Sequence, residues 1–217
     1  MTQTLRKTAA GLIVAGVWGW VPTPAAAQDT AIHTMRVLLL NPAGAPPTVL
    51  AGAEAAAARV FRQAGIETTW RHASDGRGNP DMGPAEDLAS VIIVNLMSAP
   101  MEARVRESAT AVGFAVAGGR FANIMYERVE RLAQGTSTDL ATVLGHVMAH
   151  EIGHLLLPPN AHSSGGIMNP TLSPLLAAQG VLWFSSREAA GLRTRIAALA
   201  RTHDTMARAQ LIRDRIE

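Results

Sequence analysis

The sequence contains no cysteine and only one lysine, and its positive and negative charges nearly balance. Without cysteine the chain cannot form disulfides, so the folded protein must be stabilised by packing. There are 19 basic and 17 acidic residues. Arg6 and Lys7 are the only charged residues among the first 27, so the rest of the chain has 17 basic and 17 acidic residues. This neutral remainder gives no electrostatic reason to expect a nucleic-acid partner.

The chain also lacks an apolar run long enough to predict a membrane span. Residues 8–21 are mostly apolar but contain several glycines; they follow Arg6-Lys7 and precede an Ala25-Ala26-Ala27 sequence. This order predicts a secretory signal peptide over residues 1–27, cleaved before Gln28. We therefore expect a bacterial protein exported to the periplasm or outside the cell, with no stable membrane anchor after cleavage. An uncleaved anchor is the alternative.

No internal repeat or interdomain linker is visible, and residues 28–217 are enough for one domain with its own core. Residues 34–40 predict a buried strand, residues 51–63 a helix and residues 66–70 a second strand, which together suggest a βαβ unit with parallel strands. The sequence SVIIVNL at residues 90–96 predicts a third strand that is buried on both faces.

The remaining elements are predicted from shorter signals. Residues 72–84 are rich in Gly, Asp and Pro and predict a loop. Two strands, at residues 111–117 and 121–129, are expected to flank the turn Gly118-Gly119-Arg120. Residues 172–179 are helical or irregular, and a helix is expected to open at Ser185 and run to about residue 201, after which residues 202–217 continue helically or fray.

Residues 150–154 carry the clearest chemical signal, the pattern H-E-x-x-H. On a helix, His150 and His154 lie one turn apart on the same face, so both imidazoles can reach one metal ion. Glu151 lies beside that face, where it can hold and deprotonate a water at the metal. These residues predict the core of a zinc hydrolase.

The surrounding sequence places this pattern near the end of a helix of about twenty residues. Thr136 and Asp139 have the spacing of a capping box, which predicts a helix start between residues 136 and 138. Pro158-Pro159 ends the helix, because proline lacks the N–H and restricts the residue before it. An apolar stripe at helical spacing supports the assignment: Leu140, Val143, Leu144 and Val147.

Catalytic zinc usually has three protein ligands, and His162 is our choice for the third. It lies in a segment rich in turn-forming residues, which can fold back under the helix. One alternative is His146, although a straight helix does not easily direct positions i, i+4 and i+8 at one ion, so we expect it in the core or behind the ligands. The other alternative is a downstream carboxylate such as Glu188.

The H-E-x-x-H pattern, a histidine after a turn, and Gly165-Gly166-Ile167-Met168 together resemble the metzincin zinc metallopeptidases, in which a Met-turn follows the third histidine. The motif is also similar to poorly characterised secreted bacterial proteins of predicted metallopeptidase type. His162 comes two residues after the family's position for this ligand, which Asn160 occupies. The resemblance implies that Met168 packs beneath the metal site without ligating.

The resemblance also implies a fold and an activity. The expected fold is a single α+β or α/β metzincin-like domain, with a mixed twisted sheet, an antiparallel edge strand above the cleft, a long metal-binding helix and a C-terminal helix. The expected activity is hydrolysis of peptide bonds in peptide or protein substrates by a secreted zinc endopeptidase, with His150, His154 and His162 as ligands and Glu151 as base.

Two other functions remain open from the sequence. One is a gluzincin-type or other zinc hydrolase that uses Glu188 as its third ligand. The other is a non-catalytic exported binding module with structural zinc. Tyr126, the only tyrosine, is a candidate hydrogen-bond donor to the substrate, but packing in the core is the interpretation we favour.

Overall fold

The computed structural model of the protein describes residues 33–73, 91–105, 107 and 110–213. The predicted signal peptide at residues 1–27 and most of the predicted loop at residues 72–84 lie outside this part of the chain. All described residues belong to one compact unit.

The described strands form one mixed sheet. Their order across the sheet is β2-β1-β3-β5-β4, and all neighbouring pairs are parallel except β4 with β5, so β4 is an antiparallel edge strand. The predicted parallel βαβ unit is confirmed, and so is a mixed sheet with an antiparallel edge. The strands are β1 (His33–Leu40), β2 (Ile66–His72), β3 (Val91–Met97), β4 (Gly113–Ala115) and β5 (Phe121–Met125).

Six helices accompany the sheet within the described residues: α1 (Pro47–Gln63), α2 (Ala99–Glu102), α3 (Tyr126–Thr136), α4 (Leu140–Leu156), α5 (Pro174–Ala178) and α6 (Ser186–Arg213). The helix predicted to open at residue 185 is therefore confirmed, and it continues well beyond residue 201. Of the helices in the described part of the chain, none has the length and apolar character needed to cross a membrane.

The core lies between one face of the sheet and helices α1, α4 and α6. Alternate residues of β1, namely Met35, Val37 and Leu39, are buried in the same apolar cluster as residues from all three helices. Helices α1 and α4 approach very closely, since a Cβ added to Gly145 would lie 2.4 Å from the carbonyl oxygen of Ala53. Because glycine leaves that space open, α4 is held at a defined position against α1.

Two local predictions are wrong. The strand predicted over residues 121–129 ends at Met125, and α3 begins at Tyr126. The buried residues Tyr126, Val129 and Ala133 follow at intervals of three and four, which places them on one side of a helix.

The capping box predicted from Thr136 and Asp139 is also wrong. Thr136 is the last residue of α3, and Ser137 then adopts a left-handed conformation with φ 51°. Asp139 itself is the N-cap of α4, and its side chain accepts a hydrogen bond from the Thr142 backbone N–H at 2.8 Å. Helix α4 therefore begins at Leu140 and has 17 residues.

Candidate metal centre

Three imidazoles converge beside the C-terminal half of α4. The Nε2 atom of His154 lies 3.0 Å from Nε2 of His150 and 3.1 Å from Nε2 of His162. The possible ligand atoms of all three lie within 4.8 Å of one another. Tetrahedral zinc with Zn–N bonds of 2.0–2.1 Å would separate two nitrogen ligands by about 3.3 Å. The two distances from His154 are therefore close to the spacing that such an ion requires.

The chain turns sharply after α4 to bring His162 to the other two. Leu157 is extended with φ −93° and ψ 164°, as expected before a proline, and Asn160 has a left-handed φ of 60°. The following loop is closed by a hydrogen bond from Ser163 N–H to the Met168 carbonyl at 3.0 Å. This turn supplies the third imidazole from outside the helix.

The orientation of the His150 ring is determined by the backbone of the same loop. Its Nδ1 lies 2.7 Å from the carbonyl oxygen of Ile167. A carbonyl can only accept, so Nδ1 carries the proton and donates it, and Nε2 presents its lone pair to the other imidazoles. Hydrogen bonding of this kind commonly fixes the tautomer of a metal-binding histidine. The Ile167 N–H in turn donates to the Trp183 carbonyl at 3.0 Å, which holds the loop in place.

The electrostatics of the cluster favour neutral imidazoles. Burial is the main cause that lowers the pKa of His150 and of His154, and neighbouring histidines contribute in the same direction, so that the pKa of His154 falls to about 4. Both side chains are therefore unprotonated at pH 7, which is the state that binds metal. Imidazole nitrogens about 3 Å apart must have either a shared proton or a cation between them, so the arrangement is compatible with a metal ion.

The Glu151 carboxyl lies next to the cluster and is only 5% exposed. Burial raises its pKa to about 8, with the Glu107 carboxylate as a smaller part of that rise. A bound cation would favour its ionised form. A Cβ added to Gly113 of β4 would lie 2.8 Å from Oε1 and 2.9 Å from Cδ of Glu151. Only glycine at this position of the edge strand leaves room for the carboxyl group, and sequence analysis had not identified it.

Met168 lies directly against α4. It is fully buried, and its sulfur is 2.6 Å from the position that a Cβ on Gly153 would occupy. Phe184 packs at the same place, with a ring carbon 3.1 Å from that position. Gly153 precedes His154, so these contacts support the helix next to that histidine.

A cleft of about 870 Å³ opens onto the cluster. All three residues of β4 line it, so the edge strand runs alongside His150, Glu151 and His154. Glu107 also lines the cleft, and no arginine or lysine does so among the described residues. A group bound between β4 and α4 would therefore contact both the histidines and Glu151.

The alternative ligands lie elsewhere. His146 is 3% exposed, its Nδ1 donates to the Thr142 carbonyl at 2.8 Å, and it is not part of the converging group. Glu188 forms a capping box at the start of α6, where it accepts from Ser185 N–H at 2.7 Å and donates its own backbone N–H to Ser185 Oγ at 3.3 Å. Tyr126 is buried in the core.

No protein-family model matches this chain, and no curated protein is significantly similar to it. The interpretation of the site therefore depends on its own geometry and chemistry.

Proposed function

We propose that this protein is an exported zinc-dependent endopeptidase of metzincin-like type, with His150, His154 and His162 as ligands and Glu151 as general base. The observation that carries the proposal is the convergence of three imidazole nitrogens on one point of a cleft, with a buried carboxyl group beside them. Three protein ligands and an open side are the usual composition of a catalytic zinc site.

Zinc is the metal that the donors favour. Imidazole nitrogens at nearly tetrahedral spacing suit it, whereas magnesium and calcium prefer oxygen ligands. When bound, zinc would lower the pKa of a coordinated water to about 7 and polarise a substrate carbonyl.

The residues of the chain account for the remaining steps. Glu151 accepts a proton from the attacking water and returns it to the leaving amine, which is the role of a general base and then a general acid. Its burial keeps bulk water away from this proton. His150 is held by the Ile167 carbonyl, so its ring does not have to reorient when metal binds.

The edge strand supports a peptide as the substrate class. Among the described strands, β4 pairs with β5 on one side only, and its residues line the cleft. An extended peptide can add to such an edge through main-chain hydrogen bonds, which are largely independent of its side chains. Small ester or amide substrates would use little of this strand.

The other two functions receive less support. A structural zinc site is closed by four protein ligands, whereas three side chains converge here among the described residues and the cleft opens onto them. A gluzincin-like centre would need Glu188, whose carboxylate is engaged at the start of α6.

The test is the substitution Glu151→Gln, which preserves size but removes the base. We expect zinc content to remain near that of the wild type, while the rate of cleavage of a mixed peptide library falls by about 10²–10⁴-fold. Glu127→Gln is the matched control, because Glu127 lies on α3 and is not a lining residue of the cleft. Cleavage by the zinc-loaded Glu151→Gln protein at the wild-type rate would overturn the proposal.

A further inference from the structure

A second, smaller cavity lies between the β4–β5 turn, the end of α4 and helix α6. Its volume is about 110 Å³. Its walls are mainly apolar, with Leu155 and Leu156 from α4 and Leu199 from α6, but two arginines also line it, Arg120 from the turn and Arg195 from α6. None of the metal-ligand candidates lines this cavity, so it is distinct from the cleft.

The two guanidinium groups have no protein partner in the described part of the chain. The Nε atom of Arg120 is buried without a hydrogen-bond acceptor, and neither side chain forms an ion pair or hydrogen bond there. None of the described residues that line the cavity is acidic. Buried donors in folded proteins are nearly always satisfied, and an exception commonly indicates an ion or a water. Two unpaired like charges at one cavity strengthen the case for an anion.

We propose that this cavity is a binding site for a small oxyanion held by Arg120 and Arg195. Guanidinium groups present a planar set of N–H donors that matches the oxygens of sulfate, phosphate or carboxylate. One water needs about 10–15 Å³ of cavity space, so a cavity of about 110 Å³ has room for a tetrahedral oxyanion.

The position of the cavity defines what the bound ion would connect. In the turn, Gly118 N–H donates to the Leu155 carbonyl at 3.0 Å, and the Arg120 carbonyl accepts from Ile93 N–H at 2.8 Å. An anion between Arg120 and Arg195 would therefore link α6 to the turn that leads out of the edge strand β4. It would stabilise the hairpin without contributing to the metal centre.

The test is thermal unfolding of the full folded protein in increasing sulfate, with chloride replaced so that ionic strength stays constant. We expect a saturable rise in Tm of about 3–8 °C for the wild type. The rise should be lost in Arg120→Gln and in Arg195→Gln. Arg201→Gln is the matched control, because Arg201 is an exposed arginine of the same helix that does not line the cavity.

Sulfate also stabilises proteins by exclusion from their surface, and this general effect should be the same in all four proteins. An equal rise in all four would overturn the proposal. Acetate, titrated in the same way, separates the two sources of the oxyanion: saturation by sulfate alone indicates a free tetrahedral ion, and saturation by acetate indicates a carboxylate from a peptide. If either arginine variant fails to fold, binding is measured by equilibrium dialysis of radiolabelled sulfate against the wild type. We expect about one bound sulfate per chain, and the absence of binding would contradict the proposal.

Discussion

At the scale of single residues, the candidate centre depends on two glycines as well as on its histidines. Gly113 leaves room for the Glu151 carboxyl group, and Gly153 leaves room for Met168. His150 and His154 could be identified from sequence because H-E-x-x-H is a local pattern with a chemical reason for its spacing, and His162 because it follows in a turn-forming segment. Gly113 could not be identified in this way, because a contact across 38 positions of the chain leaves no local signal.

The third ligand gives the first prediction. His162→Ala should weaken zinc binding at least tenfold, because it removes one of the three converging nitrogens. His146→Gln should leave zinc affinity unchanged, since His146 is buried one turn earlier and bonded to the Thr142 carbonyl. The zinc affinities of both variants are measured by competition with a chromogenic chelator. The opposite ranking of the two variants would show that the third ligand has been assigned to the wrong histidine.

The glycine beneath the general base gives the second prediction. In Gly113→Ala the new methyl group would lie within 3 Å of the Glu151 carboxyl and displace it. A misplacement of about 1 Å can cost about 10²-fold in rate, so we expect kcat to fall by roughly that factor with zinc content unchanged. Gly135→Ala, where a Cβ meets nothing within 4 Å, is the control. Wild-type kcat in Gly113→Ala would contradict the role assigned to the edge strand.

At the scale of elements, the strands and the metal helix could be predicted, because long apolar runs and 3.6-residue spacing are local signals. The boundary at Tyr126 could not be predicted, since residues 121–129 are apolar enough for a strand. The chain becomes helical from Tyr126, where Val129 and Ala133 pack into the core. Thr136 and Asp139 fit a capping box in spacing, but Ser137 takes a left-handed conformation and separates two helices there. Tertiary packing decided both cases.

The contact between α4 and the loop after it gives the third prediction. Gly153→Ala would place a Cβ 2.6 Å from the Met168 sulfur and 3.1 Å from the Phe184 ring. Overpacking of this kind destabilises by about 1–3 kcal/mol, and zinc affinity should fall with it, because the same loop holds His162 and the Ile167 carbonyl. Gly135→Ala should be neutral or stabilising by up to about 1 kcal/mol. Urea unfolding of both variants provides the measurement, and equal midpoints would refute the packing argument.

At the scale of the whole molecule, the absence of cysteine excludes disulfides, so the apolar core is the main source of stability. The large-scale architecture was accessible from sequence: a βαβ unit, an antiparallel edge and one long helix carrying His150 and His154. The second cavity could not be predicted from sequence, because Arg120 and Arg195 are 75 positions apart and line the same cavity only after folding.

The fourth prediction concerns the pH dependence of stability in the zinc-free protein. Burial lowers the pKa of His146 below its usual 6.5. Below pH 6.5 this histidine is protonated to a greater extent in the unfolded chain than in the folded protein. The free energy of unfolding should therefore fall as the pH decreases from 6.5 toward the pKa of His146 in the folded state. The slope from one such group is at most about 1.4 kcal/mol per pH unit.

The pH effect is isolated by comparing the zinc-free wild type with His146→Gln. Glu151 has a raised pKa and acts in the opposite direction, but it is common to both proteins. The stability of the wild type relative to the variant should be constant between pH 7.5 and 6.5 and decline toward pH 5. If the difference in stability between wild type and variant stays constant over this whole range, His146 has the same pKa in the folded and unfolded states, and the prediction is contradicted.

The central claim is that this chain holds one zinc ion at His150, His154 and His162. The most direct test is the zinc content of the purified chain lacking residues 1–27, measured by elemental analysis after zinc loading and removal of loosely bound ions. We predict about one zinc per chain, because three imidazole nitrogens converge within 4.8 Å of one another and two of their separations are close to those of a tetrahedral site. A chain that retains no zinc after reconstitution would contradict the proposed metal centre and the activity inferred from it.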